Sequence, residues 1–317
     1  MTIGSALRLL AVMVLWASCF PLITIGLDLA PHLAFAALRA ALAGVCLIAL
    51  GLFLHRPIPV GGPSWILIVL VGLGATSMGF FGMFHAAEFV SPGLATVIAN
   101  VQPIVAAALA HVFLAERLKT IGKIGLGVGL AGIAVIALPG LGADHTRGYS
   151  IGIAYVVVAA TGVSVGNVAI KRLTGQVDPI MAMGFQFLIG AVPLALLSMM
   201  TEDVSSLTWS TEFVLILLAL AVFGSSLAFW LWFEALKQVK LNRANAFTFL
   251  VPIFGLMIGA AFFGERLEVV QIVGVILVLG GILLVQRDSG VALRRQTPSA
   301  HSSNKKIEPL CEDVRRR

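Results

Sequence analysis

Apolar residues run along the chain in ten blocks separated by short polar turns, at positions 9–27, 33–54, 65–84, 93–115, 121–141, 149–170, 179–200, 213–236, 244–264 and 269–286. A helix needs roughly 20 mostly apolar residues to cross the hydrocarbon core of a bilayer. In lipid every backbone polar group must be satisfied within the segment or by a closed barrel. The blocks therefore predict an all-α integral membrane protein of ten transmembrane helices. Turn chemistry separates them: Asp28-Leu29-Ala30-Pro31, Arg56-Pro57-Ile58-Pro59, Gly61-Gly62-Pro63-Ser64, Ser91-Pro92-Gly93 and the central Asp144-His145-Thr146-Arg147-Gly148. The pattern stops at Arg287, and residues 288–317 are rich in Ser, Pro and basic groups. That stretch reads as a disordered basic tail on the cytoplasmic side.

A shift of the sequence against itself brings two stretches into one register. Phe84, Ala86 and Ala95 recur as Phe233, Ala235 and Ala244, and Pro103-Ile104 as Pro252-Ile253. Glu116-Arg117-Leu118 recurs as Glu265-Arg266-Leu267, and Gly125 and Gly132 recur as Gly274 and Gly281. Pro31 matches Pro179 with a one-residue slip. The chain thus reads as two five-helix repeats, residues 1–142 and 148–287. An odd number of helices per repeat makes the second copy inverted relative to the first.

Charge supports the inversion. With the N-terminus in the cytoplasm, the inner loops and helix ends hold Arg8, Arg56, Arg117, Lys119, Lys123, Lys171, Arg172, Lys237, Lys240 and Arg243, whereas the outer loops hold only Arg147 and Arg266. Cytoplasmic loops collect Lys and Arg, so both termini are expected in the cytoplasm of a cell with the protein in its inner membrane.

Composition narrows the class. Of the 317 residues 59% are hydrophobic and 11% charged, with a mean hydropathy of +1.02. A soluble fold carries about a quarter charged residues. The net charge of +6 sits in loops and tail, so no nucleic-acid partner is expected. Cys19, Cys46 and Cys311 have no metal-ligand spacing, and neither a metal nor a cofactor is expected. Arg8 followed by Leu9–Leu15 resembles a secretory signal. Trp16 and the apolar run to Leu29 favour an uncleaved first helix.

Polar groups inside the membrane are costly and mark candidate sites. In inverted-repeat carriers the site lies near the midplane between the halves. Arg39 leads, because eight residues beyond Pro31 at 1.5 Å rise put it roughly 12 Å deep. Its planar fork can hold a carboxylate in a bidentate pair. Further substrate-binding candidates are Trp16, Ser18, Asn100, Gln102, Asn167, Gln186 and Asn245. Glu234, His85 and His111 are candidate coupling groups for a proton gradient. Pro103 and Pro252, read as lying in mid-helix, are candidate hinges, freeing the carbonyls of Ala99 and Thr248. Gly125-x-x-x-Gly129 is a close-packing motif, expected to act within the molecule.

These residues carry a resemblance. Leu15-Trp16-Ala17-Ser18, the Pro31 to Arg39 spacing, and the duplicated run Pro103…Glu116-Arg117-Leu118…Gly125…Gly132 are similar to the ten-helix EamA-type members of the drug/metabolite transporter superfamily. The resemblance covers about residues 7–286. It implies a secondary transporter that moves a small metabolite, amino-acid-like or another small organic solute, by alternating access, with efflux favoured over uptake. It also implies drive from a proton or other ion gradient, or from the solute's own. Ala17 stands where the family typically has Gly. Helix one lacks the acidic residue through which four-helix relatives couple protons, so that mechanism does not carry over. The chain shows no phosphate loop, zinc-protease motif or nucleophile elbow, and it reads as a non-enzyme. A membrane-embedded enzyme and a channel are the alternatives.

Overall fold

The structure is a computed structural model that describes residues 2–86, 89, 99, 101–137, 149–262 and 269–288. The described residues form ten helices: α1 (Ile3–Leu27), α2 (His32–Phe53), α3 (Gly62–Ala86), α4 (Gln102–Leu114), α5 (Thr120–Ala137), α6 (Tyr149–Leu173), α7 (Pro179–Thr201), α8 (Thr211–Gln238), α9 in two pieces (Leu241–Phe247 and Leu250–Phe262), and α10 (Val269–Asp288). Eight are long and apolar enough to cross a membrane, and Gln102–Leu114 and Thr120–Ile136 are shorter apolar helices. Large apolar side chains such as Ile66, Leu196, Leu215 and Ile276 lie exposed along the outside. This is a multi-pass membrane protein whose outer face is solvated by lipid.

Local chemistry sets the helix starts. Thr2 caps α1 through the Ser5 amide at 3.3 Å, Asp178 caps α7 through Ile180 at 2.9 Å, and Ser210 caps α8 through Phe213 at 3.1 Å. Pro31 offers α2 no side-chain cap. Glu202 supplies it from the end of α7, accepting from the amides of Leu33 at 2.8 Å and Ala34 at 3.0 Å. Glu116 does the same for α9, accepting from Leu241 at 3.0 Å and Asn242 at 3.2 Å. A carboxylate at a helix N-terminus satisfies orphan amides and meets the positive end of the helix dipole.

The helices of the two halves make matching contacts. α2 lies against α7, and α5 against α10. α1 packs on α8 and α9, as α6 packs on α3 and α4. Glycine makes the α5–α10 contact close. A Cβ on Gly125 would lie 2.8 Å from the Gly281 carbonyl, and one on Gly132 would lie 2.8 Å from the Gly274 carbonyl. The Gly125-x-x-x-Gly129 stripe therefore works within the molecule, where small residues let two backbones approach.

Two features depart from the sequence reading. α3 and α8 each widen into a π-helical turn, Gly72–Met78 and Leu220–Leu227, at matching places in the two halves. π turns gather at functional positions in helices. The prolines also fall differently. Pro103 is the second residue of α4, and Pro252 is the third residue of the second piece of α9. Val101, just ahead of α4, is a turn residue, and the second piece of α9 follows a break at Thr248–Phe249, so Pro252 does not kink a continuous helix. Beyond the break, Thr248 O accepts from Val251 at 3.0 Å, a bond that Pro252 cannot donate. The prolines inside unbroken helices are Pro21 in α1 and Pro193 in α7.

One end of the bundle gathers Arg56, Arg117, Lys119, Lys171, Arg172, Lys237, Lys240 and Arg243. Lys171 binds the carbonyls of Leu236 and of Val239, the latter at 2.7 Å, where α8 ends. Arg172 binds the Phe113 carbonyl at 2.8 Å, where α4 ends. Cations at helix C-termini meet the negative end of the dipole. The opposite end holds Asp28, Glu202, Asp203 and Glu212 and no Lys or Arg among the described residues.

Candidate functional site

A cavity of about 200 Å³ opens between the halves. α1 contributes Trp16, Cys19 and Ile23, and α2 contributes Arg39. Phe80 and Phe84 come from α3, Gln102 from the head of α4, Val163 from α6, Phe229 from α8, and Thr248 and Val251 from α9. The walls are chiefly apolar and aromatic. Trp16 is wedged against Phe229 and Trp232, with ring centroids 5.7 Å and 5.4 Å away.

Arg39 is only 5% exposed. Its Nε donates to Ser225 Oγ at 2.9 Å, and one terminal nitrogen reaches the Gly224 carbonyl at 3.4 Å and Cys19 Sγ at 3.5 Å. Ser225 and Gly224 belong to the π turn of α8. The guanidinium carbon lies 4.8 Å from the centre of the Phe80 ring. No carboxylate pairs with Arg39 among the described residues. Neutral dipoles and an aromatic face thus hold a buried cation in place while leaving its charge uncompensated, and an anion entering the cavity meets that charge in a medium of low dielectric.

Gln102 stands on another wall. Its backbone carbonyl accepts from Ser164 Oγ at 3.1 Å, which ties the head of α4 to α6. Its side-chain nitrogen is buried without a partner.

The remaining sequence candidates fall in several places. Trp16 lines the cavity, and Ser18 instead bonds back to the Val14 carbonyl at 2.9 Å. Asn100 lies outside the described residues. Asn167 and Asn245 are buried beside the cavity: Trp232 Nε1 donates to Asn167 Oδ1 at 3.0 Å, and Asn167 Nδ2 donates to Asn245 Oδ1 at 3.4 Å. Thr248, which does line the cavity, donates to the Asn245 carbonyl at 2.7 Å. Gln186 is fully buried and accepts from Thr76 Oγ1 at 2.8 Å, in the π turn of α3. Glu234 pairs with Lys237 at 2.7 Å, one turn along its own helix. His85 bonds the Phe81 carbonyl at 3.1 Å and packs among Phe81, Tyr155 and His32. His111 is exposed on α4.

Sequence reading missed Cys19, Phe80, Phe84, Phe229 and Thr248 as cavity walls. Phe80, Phe84, Phe229 and Cys19 carry no polar signal that separates them from ordinary core. Thr248 had one: it precedes Pro252 by four residues, so its carbonyl was already marked.

Comparison with known proteins follows the same division into halves. The model of the EamA-like transporter family matches residues 4–138 and again 150–287. A WAT1-related chloroplastic protein of Arabidopsis thaliana is 30% identical over 263 residues, 80% of this chain and 63% of the plant protein, so the chain spans less than two thirds of that protein's length. A Salmonella typhimurium protein named "Probable amino-acid metabolite efflux pump" is 29% identical over 287 residues, 87% of this chain and 92% of that one. A protein of known crystal structure superposes with a TM-score of 0.74 at 22% identity, over 94% of this chain and 100% of that one, which shows a shared fold. With both halves matched, the chain belongs to the EamA-like transporter family.

Proposed function

We propose that the protein is a secondary carrier for a small organic carboxylate of amino-acid-like size, anionic or zwitterionic, and that Arg39 holds the carboxylate inside the central cavity. One observation carries the reading: a buried arginine lines an aromatic cavity with no described carboxylate beside it. A cavity of about 200 Å³ is smaller than the usual pocket for a drug-sized ligand, which supports a metabolite-sized solute. The name of the Salmonella relative supports an amino-acid-like solute and efflux.

Transport proceeds by alternating access. The two repeats, 1–142 and 148–287, rock against each other about the α2–α7 and α5–α10 contacts, and the turn before Pro103 and the break before Pro252 absorb part of the movement. The basic end of the bundle faces the cytoplasm of a cell whose inner membrane holds the protein, with both termini on that side. Where an ion gradient drives the cycle, His85 is the first coupling candidate, since its neighbour Phe84 lines the cavity. Glu234 is engaged by Lys237.

A thermal-shift screen of purified protein against small carboxylates tests binding. A ligand at a hundredfold excess over its dissociation constant stabilises the fold by about 2.7 kcal/mol. Counterflow in proteoliposomes then tests transport. Saturable exchange of a stabilising carboxylate is expected. Non-saturable flux points to a channel, and no stabilisation by any carboxylate rejects the reading.

A further inference from the structure

The charges of the cavity wall are one-sided. Arg39 is the only ionised side chain among the described residues that line it. Three described acids are engaged elsewhere: Glu116 with the amides of Leu241 and Asn242, Glu202 with those of Leu33 and Ala34, and Glu234 with Lys237. A free amino acid brings an ammonium as well as a carboxylate. In this cavity the ammonium meets no anion among the described residues, and the nearest formal charge is the like charge of Arg39. Of the rings that could attract a cation, Phe80 is already covered by Arg39, Trp16 is packed against Phe229 and Trp232, and Phe84 against Phe35. What the wall does offer besides Arg39 is a neutral amide, Gln102, with a buried side-chain nitrogen that has no partner. A buried donor left unmet is costly, and a solute acceptor would satisfy it.

We infer that the cavity selects a solute of net negative charge, with a carboxylate, an uncharged acyl amide in place of the amino group beside it, and an apolar or aromatic side chain, over the free zwitterionic amino acid. This rests on the reading of Arg39 as the carboxylate holder and narrows its substrate class. The carboxylate docks at Arg39, the body fills the space among Trp16, Phe84 and Phe229, and the acyl carbonyl accepts from Gln102 once that side chain turns its buried nitrogen toward the cavity. Blocking the amino group removes the like charge and supplies the missing acceptor in one chemical step. Specificity of this kind arises as much from rejecting the wrong charge as from attracting the right one.

The test is calorimetric titration of the purified full-length protein with N-acetyl-L-phenylalanine, 3-phenylpropanoate and L-phenylalanine. N-acetyl-L-phenylalanine is expected to bind at least about tenfold more tightly than L-phenylalanine. Gln102→Leu is expected to narrow the gap between N-acetyl-L-phenylalanine and 3-phenylpropanoate to within about threefold. L-Phenylalanine binding as tightly as the blocked compound, or Gln102→Leu weakening all three equally, overturns the inference. Arg39→Gln separates it from the reading beneath. If L-phenylalanine binds tightest and Arg39→Gln abolishes that binding, the carboxylate reading stands and this inference falls. If Arg39→Gln leaves all carboxylate binding intact in folded protein, the carboxylate reading falls with it. Absence of binding by all three probes to cooperatively melting protein overturns both.

Discussion

Arg39 and Gln186 make matching contacts in the two halves of the bundle. Arg39 on α2 donates to Ser225 in the π turn of α8, and Gln186 on α7 accepts from Thr76 in the π turn of α3. One turn on, Ser226 donates to the Ala43 carbonyl at 3.1 Å, and Ser77 donates to the Gly190 carbonyl at 2.8 Å. Each half therefore grips the second helix of the other half through paired hydroxyls on a widened turn. The geometry is shared and the charge is not. Arg39 faces the cavity as a cation, whereas Gln186 is fully buried. This difference is the reason for placing the proposed carboxylate at Arg39.

Arg39→Lys keeps the charge but cannot reach Ser225, the Gly224 carbonyl and a ligand with one planar fork. Binding of the best carboxylate is expected to weaken at least about tenfold in Arg39→Lys, for a loss of roughly 1.5–3 kcal/mol, and to vanish in Arg39→Gln. Titration of both variants, with membrane insertion checked by detergent-resistant folding, measures this. Intact binding by folded Arg39→Gln protein removes Arg39 from the site.

Gly224 gives a second handle on the same contact. A Cβ there would collide with Cys19 Sγ and lie 3.2 Å from an Arg39 nitrogen. Gly224→Ala is expected to weaken carboxylate binding by displacing Arg39, and adding Cys19→Ala is expected to restore much of it by clearing the nearest clash. The double variant behaving like Gly224→Ala alone rules out this steric link.

The Gln186–Thr76 pair is suited to a double-mutant cycle. Thr76→Val leaves the Gln186 amide buried without its donor, at a cost of about 1–3 kcal/mol. Thr76→Val with Gln186→Leu removes both partners and is expected to cost less than the sum of the single changes. Melting temperatures in detergent report the cycle. Strict additivity means that the hydrogen bond is not made.

Glycine substitutions in α5 separate packing from helix propensity. Gly132→Ala puts a Cβ 2.7 Å from the Val278 amide nitrogen and 2.8 Å from the Gly274 carbonyl, so the α5–α10 pair must part. A loss of about 1–3 kcal/mol is expected. Gly127→Ala meets nothing within 4 Å and is expected to be neutral or stabilising by up to about 1 kcal/mol. The two melting temperatures are the measurement, and equal shifts contradict the close contact.

Orientation is tested by single cysteines at Lys119 and Lys240 in a Cys-free background. Both sites lie at the basic end of the bundle and are expected to resist an impermeant thiol reagent added outside intact cells. Labelling at either from outside reverses the proposed topology.

Hydrophobic length and internal repetition were legible from the residues alone, because lipid forces every spanning segment to be long, apolar and internally hydrogen-bonded. The doubled Gly125…Gly132 and Gly274…Gly281 runs likewise announced a close helix contact, since small side chains at helical spacing can do little else in a bilayer. Arg39 stood out for its cost. What the chain by itself left undecided depended on residues far apart in sequence. Arg39 meets Ser225 and Gly224 only once α8 packs on α2, and Glu202 and Glu116 become helix caps only once α2 and α9 start beside them. The π turns in α3 and α8 carry glycines with Thr or Ser beside them, Gly74 to Ser77 and Gly224 to Ser226, a signal of local weakness that does not by itself specify a widened turn. Polar residues that look alike in sequence also parted ways: Gln102 lines the cavity and keeps a buried amide nitrogen without a partner, Asn167 links Trp232 to Asn245 beside it while the Asn245 amide nitrogen has no partner, and Ser18 folds back on its own helix. Local pattern sets where a helix runs, because its hydrogen bonds close within four residues. Which neighbour a side chain meets is set by packing between helices, and that is a property of the tertiary structure alone.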